Sequence, residues 1–251
     1  MKVITWWAFL CLVAVVNVTA WIFLATSADA QQARAQLVLS GIYVFGCAFR
    51  SFLPVYDIPR LSLANTWASS VLIGRSVATL AELAFAAQWA AFLHASQVES
   101  VRTMSLTIVP LITVAQVCCW HAVLTTRNLG HVLENSLWGI SAALVVICLG
   151  AIVWQGPADR SPVLELLAVG AALFVAYIFV FDVPMYWSRW KTDEAMGKKH
   201  LSLAQGLVDI SRRSVVSRLW KDWHSEVAWM TLYFSVGVWT SISLVLVSRR
   251  I

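Results

Sequence analysis

Charge is what this sequence has least of. Only 12% of its 251 residues are Asp, Glu, Lys or Arg, where an ordinary globular domain carries roughly 25%. With 60% apolar residues and a mean hydropathy of +0.75, too few polar side chains remain to cover a soluble fold. Cysteine patterning is missing as well. Cys11, Cys47, Cys118, Cys119 and Cys148 all fall in apolar runs, without metal-finger or CxxC spacing, so they read as small apolar fillers. No phosphate-binding glycine loop, nucleophile elbow or nucleic-acid module is present, and nucleic acid is not an expected partner. Asn17-Val18-Thr19 matches a glycosylation pattern but lies inside an apolar run, where no sugar is expected.

What the sequence does have is long apolar runs. They predict an all-α integral membrane protein with seven transmembrane helices, a single transmembrane domain over residues 1–251. The spans are 4–26, 36–55, 67–95, 103–125, 136–155, 163–187 and 227–248, each near the ~20 residues a bilayer requires. Connections are short, except for 188–226. The N-terminus resembles a signal peptide, with Lys2, an apolar core and Ala28-Asp29-Ala30. Its apolar stretch of about 20 residues exceeds the roughly 7 to 15 of a signal core, so it is read as a span. Fourteen tryptophans are present. Trp6, Trp7, Trp67, Trp154, Trp187, Trp190 and Trp223 fall at predicted span ends, as in an interfacial aromatic belt.

Basic residues set the expected orientation. A cytoplasmic N-terminus puts Lys2, Arg60, Arg127, Arg189, Lys191, Lys198, Lys199, Arg212, Arg213, Arg218 and Lys221 inside. Arg34, Arg102, Arg160, Arg249 and Arg250 are then outside. The excess predicts N-terminus cytoplasmic and C-terminus outside. Within 201–220, Leu203, Leu207, Ile210, Val215 and Trp220 form an apolar side flanked by Lys199, Arg212, Arg213 and Arg218. That pattern predicts a helix lying on anionic lipid at the bilayer surface. The lipid bilayer is the expected partner, and an oligomer is compatible with the sequence.

Three landmarks recur in order along the chain. Val55-Tyr56-Asp57-Ile58-Pro59 has a counterpart in Val180-Phe181-Asp182-Val183-Pro184, Glu82-Leu83-Ala84-Phe85 in Glu226-Val227-Ala228-Trp229, and Trp7 in Trp138. They suggest a 3+1+3 parallel internal repeat, 1–95 and 134–248, around a linker helix at 103–125. That plan resembles the architecture of seven-helix sugar semi-transporters and, more distantly, opsins. The resemblance is architectural and carries no residue with it. Span 7 contains no lysine, so a retinal Schiff base has nowhere to form.

Polar residues inside the spans carry whatever chemistry exists, because charge in hydrocarbon is expensive. Arg75 and Glu82 lie seven residues apart in span 3, on one helical face, with Thr79 between them. Arg50 in span 2 is a second cation for the same acid, and Glu226 is the matching acid at span 7. These four are the expected ion or transport pathway. Pairing would keep Glu82 ionised and structural, whereas burial alone would leave it neutral and able to carry a proton. A second group comprises His121, His131, Glu134, Asp182 and His224, candidate ligands for a transition metal. His131 and Glu134 are one helical turn apart. Five histidines and the absence of HExxH fall short of the histidine-rich membrane hydroxylases and desaturases. Asp57 and Asp182 each precede a proline by two residues and are expected at helix ends. Gln116 is expected to hydrogen-bond across helices. The first functional reading is a small transporter or channel. The second is a membrane-embedded, metal-dependent enzyme, and the third an accessory subunit of a membrane complex.

Overall fold

The computed structural model describes residues 2–27, 32–155, 162–212 and 214–248. The Ala28-Asp29-Ala30 motif, Arg160, Arg213 and the Arg249-Arg250 pair lie outside the described residues. Among the described residues, seven helical segments are long and apolar enough to cross a membrane. They are α1 (Lys2–Thr26), α2 (Arg34–Phe52), α3 (Val71–His94), α4 (Glu99–Ser105) continued by α5 (Ile108–Thr125), and α6 (Leu129–Gln155). The sixth is α7 (Pro162–Tyr177), a π turn (Ile178–Asp182) and α8 (Val183–Ala195). After α9 (Leu203–Arg212) comes the seventh: α10 (Trp220–Leu232), a second π turn (Tyr233–Gly237) and α11 (Val238–Val247). Large apolar side chains such as Leu12, Phe23, Leu80 and Leu166 are exposed on these helices. On a soluble protein such surface would be a liability; on a span it is what lipid requires.

Two segments outrun the hydropathy. The sixth continues to Ala195, where Trp190 Nε1 donates to Glu194 Oε1 at 3.1 Å and the Lys191 ammonium lies 4.5 Å from the Trp190 ring centroid. The seventh begins at Trp220 rather than at 227. Apolar runs mark where lipid would begin, not where a helix must stop. Of the tryptophans expected in a belt, Trp67 and Trp154 are exposed, but Trp6 and Trp223 are buried and pack with ring centroids 5.9 Å apart.

The chain divides into two compact units, Met1–Gln88 with Leu207–Arg249, and Trp89–Gly206. In the first, α1, α2, most of α3 and the seventh segment share a core of Val3, Trp6, Leu10, Tyr43, Val44, Trp223, Met230 and Phe234. A small sheet joins the chain near the ends of these helices. Strand β1 (Val55–Tyr56) pairs antiparallel with β2 (Leu61–Ser62), and β2 pairs parallel with β3 (Val215–Val216). Asp57 therefore sits in a hairpin turn, five residues past the end of α2, and does not cap a helix. The helix expected over 201–220 is realised only as α9. Beyond it the chain extends, because Val215 N–H and Ser217 N–H donate to Arg60 O and Ser62 O at 2.9 and 3.0 Å.

In the second unit α5 and α6 form a helical hairpin, turned by Thr126 at φ 61°. Gly130 permits a very close approach: a Cβ there would stand 2.5 Å from Cys118 O and 2.8 Å from Ala122 Cβ. The sixth segment runs straight through Pro184, so Asp182 lies inside a continuous helix and not at its end. Proline lacks the donor for its own i−4 bond. The π turn absorbs that loss by widening the ladder, with Val183 N–H donating to Ile178 O.

Candidate functional site

Unit one holds the charges expected to matter. On α2, Tyr43, Cys47 and Arg50 follow one another at helical spacing and face inward. Helix α3 comes close enough to share their environment, since a Cβ on Gly46 would lie 2.8 Å from Ala81 Cβ. Glu82 follows Ala81, and its carboxylate Oε2 accepts from Arg75 Nη2 at 2.8 Å. Both side chains are buried, each residue only 3% exposed. Seven residues separate them, about 10 Å along the axis, and the long guanidinium arm closes that gap. Asp57 Oδ2 lies 3.8 Å from Arg75 Nη1, so Arg75 stands between two carboxylates. Of the two alternatives for Glu82, the geometry is the paired one.

Arg50 is different. It is 3% exposed and donates from Nη2 to Val55 O at 3.1 Å. Among the described residues its Nε and Nη1 have no hydrogen-bond partner. Its guanidinium carbon stands 5.9 Å from the Trp229 ring centroid, within cation–π range. Trp229 stacks on Tyr233 at 5.1 Å, and Tyr43 stacks on Phe85 at 4.5 Å. Glu226, 5% exposed, lies one turn before Trp229 on α10 and accepts from Ser225 Oγ at 3.2 Å. The four residues expected to share a pathway are thus all buried in one unit, on α2, α3 and α10.

Neutral polar groups hold that unit together, and their sequence signals were weak. Gln88 Nε2 donates to Ser241 O at 2.8 Å, while Ser241 Oγ donates to Gln88 Oε1 at 2.6 Å. Gln36 Nε2 donates to Gln88 O at 3.1 Å. This amide knot ties α2, α3 and α11, the usual work of amides among membrane helices. Asn17 Nδ2 donates to Phe234 O at 2.7 Å, inside the second π turn, where the widened ladder leaves carbonyls to be satisfied. Nearby, Arg60 pairs with Asp209 of α9.

The metal-ligand candidates separate. His131 Nδ1 and Glu134 Oε2 meet at 2.8 Å, both buried. Cys119, read above as a filler, joins them: one ligand atom from each of the three lies within 4.8 Å of the other two. The α5–α6 hairpin explains this, because Cys119 and His131 stand equally far on either side of Thr125. Gly130 then lets the two helices touch at that level. Tyr186 packs its ring 4.9 Å from that of His131, and Asp182, buried, is one turn earlier on the same helix. His121 is exposed on α5. His224 belongs to the other unit, exposed, with Nδ1 2.8 Å from Lys221 O. Gln116 is buried one turn before Cys119. No protein-family model matches the chain, and neither a curated protein nor a solved structure matches it.

Proposed function

We propose that this protein is a small membrane transporter or channel for an ion, with Arg50, Arg75, Glu82 and Glu226 along its pathway. The observation that carries the reading is Arg50. A guanidinium buried among apolar helices, with two nitrogens lacking a hydrogen-bond partner among the described residues, holds open donors where desolvation makes them strongest. An anion is the natural occupant, because guanidinium donors and an anionic acceptor form charge-assisted bonds. The Arg75–Glu82 pair supplies a fixed, internally neutralised wall beside it. The π turn beginning at Tyr233 places a helix irregularity at the same level, a feature common at functional sites.

In this reading the seven apolar helices sit in a bilayer, N-terminus cytoplasmic and C-terminus outside, and α9 lies on anionic lipid. The 3+1+3 repeat is not required by it. The test is flux through purified protein reconstituted in liposomes, with chloride, phosphate and protons as the probes. Flux of chloride or phosphate at least tenfold above empty liposomes supports the reading. Flux of both anions indistinguishable from empty liposomes, with or without proton flux, overturns it.

A further inference from the structure

We propose that Cys119, His131 and Glu134 form a binding site for a transition-metal ion of the zinc class. The donor set is chemically selective. A thiol, an imidazole and a carboxylate together suit zinc or its late first-row neighbours, and suit magnesium or calcium poorly. All three residues are buried, Cys119 completely, so the cluster is not the exposed acidic patch that so often lacks an ion.

Geometry is close to what an ion needs. Ligand atoms in a tetrahedral zinc shell stand roughly 3.2 to 3.8 Å apart, given metal–ligand bonds of about 2.0 to 2.3 Å. Here the three atoms lie within 4.8 Å of one another, and the His131–Glu134 separation is 2.8 Å. Entry of an ion therefore asks the His131–Glu134 edge to open slightly, from 2.8 Å. His131 and Glu134 are rotamer neighbours at i and i+3 on α6, and Cys119 faces them from α5 across the contact that Gly130 makes possible. Three protein ligands leave a fourth position for water or a substrate, the arrangement of open rather than closed zinc sites.

Binding would take a proton from the thiol and leave His131 neutral, since thiolate and free imidazole nitrogen are the ligating forms. The His131–Glu134 bond is replaced by two bonds to the same ion. Tyr186, packed against the His131 ring, restricts the imidazole's rotation and so holds the ligand in place.

The experiment uses the full chain purified in detergent, loaded with zinc and, separately, with cobalt(II), followed by exhaustive dialysis. Elemental analysis is expected to give roughly one ion per chain, as a single site requires. Cobalt is expected to show a thiolate charge-transfer band. Cys119→Ser and His131→Ala should each lower retained metal at least tenfold, while His121→Ala, on the exposed face of α5, keeps it. If a variant fails to fold, the cobalt band of the unaltered protein decides. Absence of that band, retained metal below a tenth of an ion per chain, or equal retention by all three variants overturns the proposal.

Discussion

The two units solve the problem of polar groups among apolar helices in opposite ways. In unit one a long arm does the work: Arg75 reaches two turns along its own helix to Glu82 and sideways toward Asp57. In unit two short side chains meet because backbones come close: Gly130 lets α5 and α6 touch, and Cys119, His131 and Glu134 fall together. The first arrangement tolerates distance and is set by charge. The second depends on a single missing Cβ. Unit one has its own close approach, a Cβ on Gly46 standing 2.8 Å from Ala81 Cβ, but the Arg75–Glu82 pair lies within one helix and does not depend on it.

The sharpest blow to this contrast is Glu82→Gln. It leaves the buried Arg75 guanidinium opposite an amide with only Asp57, 3.8 Å away, as its acid, and the destabilisation is expected to approach the lower end of the about 3–5 kcal/mol that follows loss of one partner of a buried pair. Thermal unfolding in detergent measures it, and a shift no larger than that of a surface change would make the ion pair dispensable. Next comes Gly130→Ala. The added methyl meets Cys118 O at 2.5 Å, so the helices must part, at about 1–3 kcal/mol for an overpacked site. The same change should reduce bound metal, whereas Gly150→Ala, whose Cβ meets nothing within 4 Å, should alter neither.

Smaller still is Gln88→Leu. It removes side-chain hydrogen bonds that tie α3 to α11, and leaves the Ser241 hydroxyl and carbonyl to find other partners. A loss of about 1–2 kcal/mol is expected from a broken buried hydrogen-bond pair. Unfolding of Gln88→Leu against Ser241→Ala and the double variant tests it: the two single losses should overlap and not add. Full additivity would mean the two residues do not share one interaction.

Seven membrane-length helices were legible because apolar length is a property of the sequence alone. The two π turns and the three-strand sheet were not. Each strand is two residues long, far too short for an alternation to register, and the proline two residues after Asp57 implies a helix end where a hairpin follows α2. Asp182-Val183-Pro184 was misleading for a related reason: a proline normally stops a helix, but a π turn can route the ladder around it. Of the site residues, Arg75 and Glu82 announced themselves by charge at helical spacing. Cys119 did not, because a cysteine in an apolar run looks the same whether it fills space or faces a histidine. Its signal lay in the hairpin, where residues equidistant from a turn become neighbours. Trp6 and Trp223 show the converse error, since a tryptophan near a span end can serve the core as readily as the interface.

Arg50 bears most directly on the functional account. Liposome flux should be compared for the unaltered protein, Arg50→Lys and Arg50→Gln, after confirming equal yields of folded protein. If Arg50 holds an anion in transit, Arg50→Gln should lower flux at least tenfold, and Arg50→Lys should retain part of it by keeping the charge while losing the planar fork. Unchanged flux in Arg50→Gln would contradict the account, and would leave the buried guanidinium a structural partner of Val55 and Trp229 alone.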